Sequence, residues 1–260
     1  MKATPIVRAA NALAPLSLLV AVILATTMPV VAAGVDHTPW DTILKRYVDD
    51  AGKVAYRRLQ AESGDALAAY LATLAATDVD GLPLKEQMAF WINAYNAMIV
   101  AGILDGYSAE NTFKRYRFFK SYTRRLAGED RTPDDVEHKI VRPRFHDIRT
   151  HFALVCASTS CPVLRREAYD AARLDAQLDD QGRRFLNAPT RNRIDPAAGT
   201  VELSQIFRWF QDDFTRDGKT LADLLTPYLT PDQVKTLRVH PPTYLDYDWT
   251  MNAQPGQRPD

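Results

Sequence analysis

The chain has 260 residues, with 32 basic and 32 acidic side chains and two cysteines. Balanced charge gives no global attraction to nucleic acid or an anionic membrane surface, and two cysteines are too few for a disulfide scaffold. Stability must rest on an apolar core, for which the chain is long enough.

The first 33 residues read as a secretory signal peptide. Lys2 and Arg8 give a positive start, Leu13 to Leu24 an apolar run, and Val31-Ala32-Ala33 a small-residue cleavage site. The run is interrupted by Pro15 and Ser17 and is short against the roughly 20 apolar residues of a membrane span, so no span is expected after cleavage. A periplasmic or secreted protein is therefore expected.

Helical spacing in Trp40 to Val48 is followed by the polar break "DDAGK". An extended piece, Val54 to Leu59, leads to a second helix around Ala66 to Ala75. Leu84 to Leu104 carries Met88, Trp91, Ile92, Tyr95, Met98 and Ile99 at intervals of three and four and predicts the central buried helix. Asn93 and Asn96 are its odd residues, because buried asparagine needs specific partners. "FKRYRFFKSYTRR", from Phe113, reads as a strand or loop with a solvated basic face rather than a nucleic-acid patch, since the chain as a whole is not basic.

Thr132 as N-cap, Pro133 at the first helical position and Asp134 and Asp135 in the first turn predict a two-turn helix carrying Glu137 and His138 and ended by Pro143. His151 to Ala157 is an apolar strand candidate. Pro162 to Asn187 predicts one or two helices, and "GTVELS" a strand whose Ser204 caps the helix "QIFRWFQDDF". Two helical pieces follow, Leu221 to Leu229 and Asp232 to Leu237, then the partly extended "TYLDYDWTMN" and a polar tail, 251–260. The expectation is an α+β, helix-rich single domain over 34–250, with a small β-sheet from strands near 118, 153, 202 and 245.

Three blocks, "FWINAYNA", "DDVEHKIVRPRFHDIRTHFALVCASTSCPVL" and "LSQIFRWFQDDF" with the terminal "YLDYDWTMN", together resemble the DUF547 family, over roughly 82–214 and 243–252. The resemblance implies that Asn93, Glu137, His138 and the 151–161 segment belong to one domain. The family has no agreed activity, so it supplies no catalytic residues, and function has to be argued from the side chains.

The thiols are the chemical signal. A nucleophilic cysteine needs a base within reach and surroundings that lower its pKa from about 8.5. Cys161, between Ser160 and Pro162 at an expected helix start, has the better local electrostatics. Cys156 lies in or at the end of an apolar strand, where burial disfavours the thiolate. Among His138, His146, His151 and His240, His151 makes a poor dyad with Cys156, because an odd offset on a continuous strand puts the two on opposite faces. His138 with either cysteine is the favoured pair, with Asn93 or Asn96 orienting the base or holding an oxyanion. Glu137 points away from its neighbour His138, as adjacent helical residues do. The order Cys161, His240 and Asp246 or Asp248 resembles papain-like peptidases, without an oxyanion signature. Asp212 and Asp213 read as solvated carboxylates, and the aromatics of "FRWFQDDF" and "FWINAY" as core.

Two cysteines five apart also suit a structural disulfide in an oxidising compartment, provided the chain turns through "ASTS". His138, His146, His151, Cys156 and Cys161 fall close together, yet their spacing aligns ligands on neither helix nor strand, so no metal and no cofactor are expected. The sequence thus favours an exported cysteine-dependent hydrolase or acyl transferase on a peptide or cell-envelope amide, with Cys156 or Cys161 as nucleophile and His138 as base. The alternative is a non-catalytic envelope binding or scaffolding module stapled by a Cys156–Cys161 disulfide.

Overall fold

The structure is a computed structural model that describes residues 1–3 and 34–259. The described residues from Gly34 onward form one compact unit. The expected signal segment, apart from residues 1–3, lies outside the described residues.

Helix α1 (Thr38–Tyr47) turns Trp40, Ile43, Leu44 and Tyr47 inward. Helix α2 (Tyr56–Ala76) begins ten residues earlier than the sequence suggests. Only Val54 of the expected extended piece makes strand-like pairs, with Val48 and Ala253, and a kink at Ser63 divides the helix. Helix α3 (Leu84–Leu104) is buried continuously from Gln87 to Ile103. It is long and apolar enough to cross a membrane, but 94% of that apolar window lies inside the protein. An all-round apolar helix is what a core position demands.

The basic aromatic block is helical through Ser121, and only its last two residues, Arg124 and Arg125, enter a strand. Helix α4 (Thr112–Tyr116) runs into a π-helical turn, Arg117–Ser121. Gly102 on α3 lets this turn approach, because a Cβ there would collide with the Phe118 ring. Strands β1 (Arg124–Leu126) and β2 (Glu129–Arg131) form an antiparallel hairpin.

Thr132 caps the next helix as expected: its N–H donates to Asp135 Oδ2 (2.9 Å) while the Asp135 N–H donates to Thr132 Oγ1 (3.1 Å). The helix is a π segment, Asp135–Val141, running directly into α5 (Arg142–Phe145). Pro143 therefore does not end it; the stop is His146, with a φ of 51°. A proline costs a helix an i→i−4 bond, and just past a widened turn the regular bonding is already interrupted.

The apolar run at 151 is also not a strand at its start. Helix α6 (Thr150–Ala153) carries His151, and the chain extends only from Leu154. No helix follows Cys161: residues 162–173 are irregular and α7 spans Leu174–Leu186. Strands β3 (Arg193–Asp195) and β4 (Thr200–Leu203) are antiparallel, and β5 (Thr243–Tyr244) returns parallel to β4. Between β4 and β5 lie α8 (Gln205–Trp209), capped by Ser204 as expected, α9 (Leu221–Leu225) and α10 (Pro231–Val239). The fold is α+β and helix-rich, with two small sheets among the described residues. Strands near 202 and 245 are present, whereas those expected near 118 and 153 are helical.

The core has two parts. One gathers α1 to α3 with Phe118, Val136, Leu154 and Cys161; the other gathers Phe152, Phe185, Phe207, Phe214 and Leu225. The C-terminal segment packs against the first part, with the Val54 N–H donating to Asn252 O (2.9 Å) and the Tyr56 hydroxyl to Asn252 Oδ1 (2.7 Å).

Candidate active site

A cleft of about 370 Å³ opens where residues of both core parts meet. Cys156, Cys161, Glu137, His138 and His151 all line it. Asn93 does not.

The segment leading to Cys156 is placed by Asn96 of α3. Its side chain donates to Ala153 O (3.0 Å) and accepts from the Val155 N–H (2.9 Å), satisfying both backbone groups in a dry interior. Asn93 does the same job elsewhere, donating to Tyr169 O (2.8 Å) and accepting from the Tyr169 N–H (2.9 Å). Asn93 thus clamps the loop before α7.

After Cys156 the chain turns sharply, because Ala157 adopts a φ of 62°. A non-glycine residue in the left-handed region is strained, and such strain persists only where surrounding structure enforces it. Asn252 N–H donating to Ala157 O (3.0 Å) and Thr159 N–H donating to Thr250 O (2.8 Å) supply that enforcement. The turn folds Ser158 and Cys161 back onto the Cys156 sulfur.

The two sulfurs consequently differ. Cys156 Sγ lies 3.0 Å from Ser158 Oγ and 3.4 Å from Tyr247 Oη. A hydrogen bond from the Cys161 thiol pulls its pKa down to about 6, with the Ser158 hydroxyl, Tyr247 hydroxyl and Ser158 N–H acting in the same direction against burial. Cys161 is buried, accepts the Cys156 N–H at 2.9 Å, and is pushed well above its ordinary pKa by burial and by its bond to Cys156. The Cys161 proton can also reach Leu154 O, but at 3.9 Å that contact loses to a charged sulfur. Two expectations change here. Cys161, off any helix terminus, is the poorer nucleophile, and the Cys156–Cys161 staple is not formed, since both thiols are free.

Glu137 and His138 face different partners, as adjacent helical positions should. Glu137 accepts from the Tyr95 hydroxyl (3.4 Å). Burial, then the nearby Cys156 charge, raises its pKa to about 7. His138 accepts at Nδ1 from Arg142 (2.7 Å), and its Nε2 lies 3.6 Å from Asp134. Burial, with Arg142 among the cations beside it, lowers its pKa. With its lone pair engaged by a guanidinium, His138 is poorly set to take a proton.

His151 is the imidazole that the sequence argument set aside. Its place on α6 rather than a strand removes the opposite-face objection, and it lines the same cleft as Cys156. Its Nε2–H donates to Asp213 (2.8 Å), and its ring lies 4.2 Å from that of Phe210. Asp213, expected to be solvated, is buried and also accepts from Arg142 (2.7 Å) and Arg216 (2.8 Å). Its pKa is lowered first by the His151 bond, and that of His151 is lowered by burial.

Three further contributions escaped the sequence reading. Tyr247 and Trp249 come from the terminal block, Trp209 and Phe210 from the end of α8, and Arg115, Tyr116, Phe119 and Lys120 from the helical basic block. The "FRWFQDDF" aromatics divide, with Phe207 and Phe214 in the core and Trp209 exposed at the cleft. The basic block held the available signal: Arg115, Tyr116, Phe119 and Lys120 are spaced at three and four residues, which places them on one side of a helix.

Residues 79–186 match the model of a family described as a protein of unknown function, DUF547, and over those residues the chain is a DUF547 domain. No curated protein and no solved structure matches the chain. The matched stretch holds both cysteines, Glu137, His138 and His151, while Asp213, Trp209 and Tyr247 lie beyond it.

Proposed function

We infer that the DUF547 domain of this chain, completed by its C-terminal segments, is a thiol-dependent acyl-transfer enzyme, a hydrolase or acyl transferase acting on an amide or ester outside the cytoplasm. The observation that carries the reading is the Cys156 sulfur, held by several donors at the wall of a cleft with its pKa near 6. A sulfur so held is largely thiolate at neutral pH and needs no base to activate it.

What the chemistry then needs is a proton for the leaving group, and Glu137, with its pKa near 7, is partly protonated at the same pH. The thiolate attacks the acyl carbon, the C–N or C–O bond breaks, and Glu137 protonates the departing atom. The resulting thioester is cleaved by water or a second acceptor, whose proton returns to the Glu137 carboxylate as the C–S bond breaks. His138 keeps the lesser part of helping to fix Arg142. His151, oriented by Asp213, is a second group able to accept a proton at the same cleft. The N-terminal signal-like segment supports an exported setting and an envelope component as partner.

Intact-mass analysis after mixing with 4-nitrophenyl acetate tests this. One acetyl group on Cys156, absent in Cys156→Ser, is expected; no adduct, or an unchanged adduct in the variant, contradicts it.

A further inference from the structure

We propose that the cleft beside Cys156 binds the hydrocarbon chain of an acyl donor, so that the group transferred to the sulfur is a medium or long acyl chain. The proposal rests on the thiol reading only for what becomes of the bound chain.

One wall of the cleft is a cluster of packed rings that starts at the sulfur. Tyr247, whose hydroxyl lies 3.4 Å from Cys156 Sγ, is 4.5 Å ring to ring from Trp249 and 4.8 Å from Trp209. Tyr116 and Phe119 also line the cleft, and Leu154 and Ile206 are buried beside it. Trp209 and Tyr116 are 47% and 60% exposed, a degree of aromatic exposure at a cleft that marks a binding surface.

The polar chemistry argues against a peptide main chain as the occupant. Recognition of an extended peptide uses unpaired backbone groups, whereas the extended segments beside the sulfur spend theirs internally. Val155 N–H donates to Asn96, Cys156 N–H to Cys161, Thr159 N–H to Thr250 O and Ser160 N–H to Asp248 O. The charged groups Arg115, Lys120 and Asp134 are partnered: Lys120 with Asp134 at 2.8 Å, and Arg115 by its position over the Trp249 ring at 4.4 Å. An alkyl chain asks for no hydrogen bonds and gains from each methylene buried against such walls.

The test compares 4-nitrophenyl acetate with the octanoate. Each buried methylene is worth about fourfold in kcat/KM, so a rise of about 100-fold or more is expected from acetate to octanoate. Trp209→Ala and Tyr116→Ala, both at exposed positions, should each shrink that ratio about tenfold. Rates equal within about threefold across the series overturn the proposal. Binding to Cys156→Ala, read by quenching of tryptophan fluorescence with decanoate and acetate, separates the two readings. If wild type turns over no ester yet the variant binds decanoate at least about 100-fold more tightly than acetate, the acyl site stands and the thiol chemistry fails. Turnover without chain-length preference and without decanoate binding overturns the acyl site and leaves the thiol chemistry intact.

Discussion

Cys156 and Cys161 are the same side chain five residues apart, and their surroundings set them to opposite protonation states. The Cys161 thiol is the largest influence holding the Cys156 charge, so Cys161→Ala should move the Cys156 pKa back toward its free value of about 8.5 and slow its alkylation near neutral pH about tenfold or more. Alkylation rates with mass mapping will show it; an unchanged Cys156 rate contradicts it. Glu137 allows a second test with opposite signs for stability and turnover. Its folded pKa is raised from 4.5 to about 7, so the folded state binds the proton more tightly than the unfolded chain. That contribution is full below the unfolded value and is lost as pH rises through the folded one. Glu137→Gln should therefore match wild-type stability at about pH 4 and exceed it at about pH 8 by about 1–3 kcal/mol, or several degrees in Tm. The same change should lower ester turnover about 100-fold while leaving Cys156 alkylation intact. Thermal melts at the two pH values and burst kinetics check both halves.

At the level of elements, α3 does more than fill the core. Asn93 and Asn96 sit three residues apart on it, and each satisfies an N–H and a C=O of a different loop. Replacing either with alanine strands two buried backbone groups and should cost about 2–4 kcal/mol. Only Asn96→Ala should also lower Cys156 reactivity, because only Asn96 holds the segment from α6 to the sulfur; denaturant titration beside alkylation rates distinguishes the two. The need of these asparagines for partners was legible in the sequence, as were α1, α3, the Thr132 and Ser204 caps and the β4 and β5 positions. Two elements that line the cleft were not. The 117–121 turn is rich in aromatics, which favour strands, but its helical form follows from Phe118 docking on Gly102, a long-range fit that composition does not encode. The 151–157 run is too short for periodicity to separate a strand from one helical turn followed by extended chain. That single misreading put His151 on the wrong face relative to Cys156 and hid the His151–Asp213 pair, whose members are 62 residues apart. Likewise, nothing local announces that Tyr247 lies over a sulfur 91 positions earlier.

Across the whole molecule, the cleft draws on both core parts, and the chain's C-terminal return closes it. The buried Asp213 cluster ties this assembly to pH. His151 has its pKa lowered from 6.5 by burial and Asp213 has its pKa lowered from 3.8, first by the His151 bond. Both groups bind protons less readily folded than unfolded, so stability falls as pH drops, from about 6.5 downward for His151 and from about 3.8 downward for Asp213. The urea midpoint of wild type, relative to that of His151→Gln, should decline as pH falls from about 6.5 toward about 4, the opposing Glu137 contribution being common to both proteins. A difference that does not vary with pH would contradict the burial of His151. The account depends most on the state of Cys156, which is best measured on the intact protein without reductant, by alkylation across a pH series followed by mass mapping. A single fast-reacting cysteine, Cys156, with an apparent pKa near 6 is the predicted result. Two sulfurs that react only after reduction, or a Cys156 pKa above about 8.5, would contradict the thiolate and favour a stapled, non-catalytic binding module.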